Sequence, residues 1–400
     1  MSSGIEERPV EVEAGVGTRV PGVGYSTSSD PAIAANEAIA EATARQPVRE
    51  GDLMIVLVTA DLDPDEFHAA ALQAAAPASV VGCTSHGSFC DESQVTAGAV
   101  AAFVPGDDAS FGICHVDVDS DIAGAARRGA EFARERAGAE REHSVLLMFA
   151  DGKISDQRET ARGAYEVTSA LTPFVGGVAG DDMSRNGVRT FGEGRVVRDG
   201  IVSVWITSNR QMAFSVDHGW RPVGKPMLVT RADGCVVNEL DGRPAFETFI
   251  SGPGAPLNED AEIFNEKALA RPVGLPNAQG RYEARQVLDV HDDGSLEFTT
   301  AIPEQTVMQV MTGDSDSLLR GAGSAAASVA RELDEPVRLA LVFSCAARVA
   351  LLGDRVGEEA QLISKELGGA PIAGFFTFGE FARLKGSSGV HNSSVAILAL

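Results

Sequence analysis

Three stretches of this chain follow one plan, and that repetition constrains the fold more than any other feature. The first runs DLMIVLVTA (52–60), DPDEFHAAALQAAAP (63–77) and SVVGCTSHGSF (79–89). The second runs HSVLLMFADG (143–152), SDQRETARGAYEVTSALTP (155–173) and FVGGVAGDD (174–182). The third runs VRLALVFSCAAR (337–348), GDRVGEEAQLISKELGGAP (353–371) and IAGFFTFGEF (372–381). Each is a continuous apolar run, a mixed helical segment, a proline, and a short apolar run that breaks at glycine. An unbroken aliphatic and β-branched run bounded by turn residues reads as a strand buried on both faces. Two such strands joined through a helix lie parallel, with a right-handed crossover. Asp63-Pro64, Ser155-Asp156 and Gly353-Asp354 are the expected helix starts, since Asp and Ser cap and Pro fits the first turn.

More apolar runs follow each unit, and a helical segment precedes each: Pro31–Arg45, Asp121–Arg136 and Ser315–Leu333. One plan is thus used three times. Asp199-Gly200 carries a hairpin signal. A different stretch, about 219–313, separates the second and third units. It predicts hairpins about Asp233-Gly234 and Asp293-Gly294 and a short helix from Pro244. The expectation is an α/β fold: mixed, strand-rich sheets of repeated β-α-β(β) units, helices outside, in two domains sharing an interface. Residues 1–17 would be a disordered tail, 18–222 a domain of two units, and 223–400 the hairpin-rich insert plus the third unit. The boundary falls near Arg221–Pro226, where GWRPVGKP interrupts the pattern.

The net charge of −24 over 400 residues excludes nucleic acid and anionic lipid as natural partners. The longest apolar stretches, such as Ala97–Val104 and Leu339–Ser344, fall far short of the ~20 residues of a membrane span. The N-terminus lacks a basic segment followed by an apolar core, so no leader is expected. Five widely spaced cysteines, an odd number, argue against a disulfide framework and for a reducing cytoplasm. No metal and no cofactor is expected. There is no C-x-x-C, H-x-x-x-H, H-E-x-x-H, Walker A or G-x-S-x-G sequence. Asp117–Asp121 imitates the start of a calcium loop, but Ile122 stands where Gly is needed and Arg128 where Glu is needed.

In order along the chain, VVGCTSHGSF, FVGGVAGDD, DHGWRPVG, VTRADGCVVNELDGRPAFETF, FSCAARVALLG, PIAGFFTFGEF and the closing HNSSVAILAL resemble the FIST family, with its paired FIST N and FIST C domains. The resemblance runs from about Ala32 to Leu400. It implies a sensory module for a small ligand, amino acids being suggested, that acts through a signalling partner. Here that partner would be supplied in trans, because the chain has no room for an output domain.

Ligands of open α/β sheets bind beyond the carboxyl ends of parallel strands. Polar residues and glycines concentrate there: Gly82 and Thr84; Gly177 and Asp181; Ser344, Cys345 and Arg348; Gly374, Thr377 and Glu380; and Asn392 before the last strand. Glycine would let backbone approach a ligand. Arg348, flanked by Ala and Val, suits a bidentate carboxylate, with Glu380 or Asp181 opposing an amine. The bland alternative for Arg348 is an internal ion pair with Glu380 or Asp354. Cys345 or Cys83 could be a nucleophile if His391 or His86 supplied a base, although buried cysteines are usually inert. Three readings remain open: a sensor of a small polar metabolite, a cysteine-dependent hydrolase or transferase, and a scaffold without ligand. An oligomer is compatible with all three.

Overall fold

In the computed structural model each apolar run becomes a strand buried on both faces. The structure describes residues 19–91, 93–138, 141–184, 187–251, 270–277, 279–383 and 389–400; the expected tail over 1–17 lies outside them. The first unit is β1 (Gly22–Ser26), α1 (Pro31–Ala42), β2 (Leu53–Thr59), α2 (Pro64–Ala74), β3 (Ser79–Ser85), β4 (Ser88–Cys90), β5 (Ser93–Val95) and β6 (Ala99–Val104). The second repeats it: β7 (Ala109–Asp117), α3 (Ile122–Arg136), β8 (His143–Ala150), α4 (Gln157–Thr168), β9 (Phe174–Val178), β10 (Thr190–Gly192), β11 (Arg195–Val197) and β12 (Gly200–Ser208). The third opens with β13 (Ala213–Asp217), which lies before the expected boundary near residue 222.

An insert then intervenes: β14 (Arg221–Pro222), β15 (Met227–Asp233), β16 (Val236–Leu240), β17 (Arg243–Pro244), α5 (Ala245–Ser251), β18 (Val273–Pro276), β19 (Tyr282–Arg285), β20 (Val287–Val290), β21 (Leu296–Phe298) and β22 (Val307–Thr312). The third unit resumes with α6 (Ser315–Glu332), β23 (Ala340–Cys345), α7 (Ala346–Leu352), α8 (Val356–Glu366), β24 (Ile372–Thr377), β25 (Glu380–Ala382), β26 (Val390–His391) and β27 (Val395–Ala399). The insert folds into one nine-stranded sheet with its own core, including Val229, Leu240, Phe249, Leu296 and Phe298. Both expected hairpins are present in it, β15–β16 and β20–β21.

The three units do not close on themselves. The sheet orders are β1-β6-β2-β3-β10-β11, β7-β12-β8-β9-β25-β26 and β13-β27-β23-β24-β4-β5, here written from the unit's first strand. Each unit therefore contributes four strands to its own sheet and gives its hairpin to another: first to third, third to second, second to first. The parallel pairs β2–β3, β8–β9 and β23–β24 lie at matching places. Asp199-Gly200 is accordingly not a hairpin, because β11 and β12 belong to different sheets; the reversal is one step earlier, β10 pairing β11. A two-residue turn signal shows where a chain bends, not which sheet it enters next.

Alternation explains the continuous apolar runs. On β2, Leu53, Ile55 and Leu57 face a shared central core with Val145, Leu147 and Phe149 of β8 and Leu341 and Phe343 of β23. The intervening Met54, Val56 and Val58 pack under the first unit's helices, and Leu146 and Met148 under the second's. Helix starts follow the caps. Asp63 and Asp156 accept from the first-turn amides of α2 and α4. The third unit departs from expectation: its helix begins at Ala346, directly after the strand, and Gly353–Arg355 is a short 3-10 turn leading into α8.

At each exchange a phenylalanine lies opposite a glycine: Phe191 opposite Gly82, Phe381 opposite Gly176, Phe89 opposite Gly374. A Cβ at Gly374 would come within 2.4 Å of the Phe89 ring. One at Gly82, where φ is +151°, would lie 1.8 Å from the Val56 carbonyl oxygen. The ring is completed by backbone bonds: Gly180 N–H to Thr84 C=O (3.2 Å), Phe378 N–H to Val178 C=O (3.0 Å) and His86 N–H to Phe376 C=O (3.3 Å). Residues 19–222 expressed alone lack β25–β26 for the second sheet and β27 beside β13. The expected outcome is a species with strand signal but no cooperative melt and with dye-accessible apolar surface, read by circular dichroism and ANS fluorescence. Adding the 223–400 piece should restore the melt.

Candidate functional site

The strand ends that the sequence singled out do converge, and they are filled by protein. Arg348 is fully buried in α7. Its Nε donates to Glu359 Oε2 at 2.8 Å, Nη2 to the same carboxylate and to Leu318 C=O (2.9 Å), and Nη1 to His218 C=O (3.2 Å). Ser344 Oγ donates to the other Glu359 oxygen at 2.5 Å. The ion-pair partner is thus Glu359, not Glu380 or Asp354. Arg348 spends its guanidinium joining α6, α8 and the 218 corner, which leaves no carboxylate clamp. Glu359 escaped sequence reading because a Glu in the first turn of an amphipathic helix, next to the like Glu358, carries no sign of facing inward.

Glu380 is also fully buried and accepts at 2.5 Å from both Thr377 Oγ1 and Ser394 Oγ. Burial pushes its carboxyl up to about 8, against the weaker opposing pull of those hydroxyls. Cys345 lies next to this cluster, its N–H on Ser394 C=O. Burial, and then the Glu380 charge, raises its thiol pKa; burial likewise raises that of Cys83. A thiolate nucleophile needs the opposite environment. Thr84 Oγ1 accepts from Arg189 N–H at 2.9 Å. Asp181 Oδ2 accepts from Ser184 Oγ and Gly187 N–H, and the Asp181 carbonyl meets His86 Nδ1 at 2.7 Å. Asn392 Oδ1 accepts from Thr299 and Thr300 hydroxyls. A Cβ at Gly177 would lie 2.7 Å from both Phe375 and Thr377. Gly82, Gly177 and Gly374 make room for the protein's own atoms rather than for a ligand.

Open space lies elsewhere, part of it between the insert and the third unit. A cavity of about 210 Å³ is walled by the Trp220 and Tyr282 rings, His218 and His391, with Asp217, Glu283 and Arg281 around them. The segment DHGWRPVG builds one wall. Asp217 Oδ1 accepts from the His218 and Gly219 N–H groups, and Gly219 takes φ +77° where a Cβ would meet Ser317 C=O at 2.0 Å. Trp220 Nε1 then donates to Ser393 C=O at 3.0 Å. The sequence showed this segment as a break in pattern and as one of the motifs of the family resemblance, without singling out His218 or Trp220 as site residues.

The two histidines differ in their free atoms. Trp220 N–H donates to His218 Nδ1, so Nε2 carries the proton and donates to Tyr282 C=O at 2.9 Å. His218 is saturated and neutral, its pKa lowered chiefly by burial. His391 Nε2 lies 2.8 Å from Ala382 C=O, and a carbonyl only accepts, so Nε2 is protonated. Burial holds this ring neutral, its pKa lowered to about 4. Nδ1 of His391 is left as an acceptor. A second cavity, of about 220 Å³, shares Asn277 and Glu283 with the first and is lined by Arg158 of α4 and Arg285 of β19. Among the described residues no cluster of three or more His, Cys, Asp or Glu is placed to hold a metal ion. No helix among them is long and apolar enough to cross a membrane.

Two outcomes follow for the buried groups. Arg348→Met should destabilise by about 3–5 kcal/mol because it strands the Glu359 charge, and Arg348→Met with Glu359→Leu should cost less than the single change; denaturant melts check this. A carboxyl whose folded pKa is raised to about 8 is stabilising while protonated, so its contribution is full below about pH 4.5 and is lost as pH rises through 8. His391, depressed to about 4, acts in the opposite sense and only below about pH 6.5. Between pH 6.5 and 8 the wild type should therefore lose melting temperature more steeply than Glu380→Gln. Equal slopes in a thermal-shift series would remove the assignment.

Family models place this chain: the FIST N domain matches residues 52–243 and the FIST C domain residues 250–383. The chain belongs to the FIST family. It is 26% identical over 386 residues to an uncharacterized protein of Mycobacterium tuberculosis (strain H37Rv), covering 94% of this chain and 98% of that one. An uncharacterized Mycobacterium bovis protein is 28% identical over 236 residues, 56% of this chain and 60% of its own length. Among solved structures, the crystal structure of cyanuric acid hydrolase from A. caulinodans aligns over 95% of this chain and 98% of that one, at 10% identity and a TM-score of 0.35. That likeness is too slight to carry an argument.

Proposed function

We propose that this chain, as a FIST protein, is a small-ligand sensor: it binds a polar metabolite of about amino-acid size in the His218–His391 cavity and passes its occupancy to a partner protein in the cytoplasm. The observation that carries this is the cavity of about 210 Å³ on whose wall His391, its Nε2 bound to Ala382 C=O, keeps Nδ1 as an acceptor beside the Trp220 and Tyr282 rings. Cavities for drug-sized ligands run roughly 300–1,000 Å³, so this one suits a smaller molecule. Flat aromatic walls supply contact and the charged groups supply orientation. The cavity lies between the insert and the third unit, where closing on a ligand would draw the two together. Ligand contact thereby passes from Arg348 and the glycine strand ends to Trp220, Tyr282 and His391. The cysteine-dependent reading loses support from the burial of Cys345 and Cys83.

The test is native mass spectrometry of the purified chain followed by a thermal-shift screen of amino acids and common metabolites. A ligand at a hundredfold excess over Kd adds about 2.7 kcal/mol, a readable shift. A selective shift abolished by His391→Ala or Tyr282→Ala is expected. A shift that survives both variants would move the ligand site away from this cavity, and none across the library would transfer the case to a ligand-free scaffold.

A further inference from the structure

The second cavity bears the opposite charge to the first. The first chamber has two carboxylates, Asp217 and Glu283, against one guanidinium, Arg281. The second has two guanidiniums, Arg158 and Arg285, against one carboxylate, Glu283. That carboxylate is engaged: Glu283 Oε2 accepts from Arg285 Nη2 at 2.9 Å, with both side chains almost wholly buried. Arg158 has no such partner. Among the described residues it makes one side-chain hydrogen bond, Nη1 to Ala301 C=O at 3.0 Å, and no ion pair. A guanidinium has five N–H donors, and a half-buried one on a cavity wall is poorly served by a single carbonyl. The Thr306 hydroxyl and the apolar Leu275, Pro276 and Pro303 complete the chamber.

We propose that this second chamber is an anion subsite, in which Arg158 receives a carboxylate or phosphate group of the same ligand whose N–H or ammonium end meets His391 Nδ1. The ligand is then bipolar, with its positive end toward Asp217, Glu283 and His391 and its negative end toward Arg158. This rests on the reading of the first cavity as the ligand site, and it adds a consequence. Arg158 belongs to α4 of the second unit, while His391 belongs to the hairpin that the third unit gives to the second unit's sheet. A ligand held at both ends touches the insert, the second unit and the exchanged hairpin at once.

The experiment is a ligand-observed NMR titration of the whole chain with propionate, inorganic phosphate, ethylamine and γ-aminobutyrate. Propionate and γ-aminobutyrate should bind the wild type and weaken by roughly ten- to a hundredfold in Arg158→Met, the scale of a lost charge-assisted hydrogen bond. Ethylamine should be unaffected, and Arg158→Lys should retain most of the carboxylate affinity. Phosphate binding in place of propionate, with the same dependence on Arg158, would support the subsite and assign it a phosphate-bearing ligand. Carboxylate affinity equal in wild type and Arg158→Met, or no anion binding by the wild type at all, would overturn the proposal. Failure of the first-cavity reading looks different: ethylamine and γ-aminobutyrate would be indifferent to His391→Ala.

Discussion

The exchange of hairpins around three like units is the constraint on which the rest depends. Three four-stranded sheets with exposed fourth edges would each invite mispairing. Here each edge is covered by the hairpin of another unit, β10–β11, β25–β26 or β4–β5. The phenylalanine–glycine contact at each junction gives the pairing a register. A glycine on β3, β9 or β24 is paired with Phe191, Phe381 or Phe89, and at Gly374 the Phe89 ring takes the space a Cβ would need. A slip of one residue would turn that ring to the other face of the sheet. Because the three exchanges form a closed cycle, the FIST N and FIST C segments share sheets: β9 of the first pairs β25 of the second, and β4 of the first pairs β24 of the second.

The exchange also explains where the buried polar groups lie. Loops crossing from one sheet to another cannot satisfy their backbone in a ladder. Around the β25–β26 junction Glu380 Oε2 accepts from Ser394 N–H and Thr377 Oγ1 donates to Ser344 C=O, and side-chain bonds link Glu380 to Thr377 and Ser394, Asn392 to Thr300, and Ser393 to Gln286. Where α7 leaves β23 without a connecting loop, Arg348 donates to the His218 and Leu318 carbonyls and is held in place by Glu359, which Ser344 also meets. Such networks stabilise only while every member is satisfied. The concentration of polar residues at the strand ends is therefore a structural requirement of this topology before it is evidence of a ligand.

The three units were legible in the sequence because strands buried on both faces leave continuous apolar runs, and because Asp63 and Asp156 cap as such residues usually do. The insert's hairpins were legible from their Asp-Gly turns. The exchange was not, since a hairpin's own residues are the same whichever sheet it joins; Asp199-Gly200 misled for that reason. The start of α7 at Ala346 was hidden because Cys345 makes no side-chain cap. Glycines and polar residues at strand ends were visible, but their partners, Phe89, Glu359 and Ser394, are far off in sequence or unremarkable in place. The cavity was least legible. It needs His218, Tyr282, Glu283 and His391, which three separate segments supply.

The position of the insert accounts for a cleft beside one unit of three. In the first unit four residues, 27–30, join β1 to α1, and in the second four, 118–121, join β7 to α3. In the third, residues 218–314 occupy the same junction between β13 and α6. The cap survives the expansion: Asp30, Asp121 and Asp314 each precede their helix and accept from its first-turn amides. The core of the unit thus ends and resumes at the same two points with or without the insert, so the nine-stranded sheet could be added without disturbing the ring. What it adds is a surface facing the corner His218–Trp220 and the end of β26, which in the other units would face solvent. Where one copy has been extended, two surfaces that the ring alone would leave open come to face each other, and the cavity at His218, Tyr282 and His391 lies at that place.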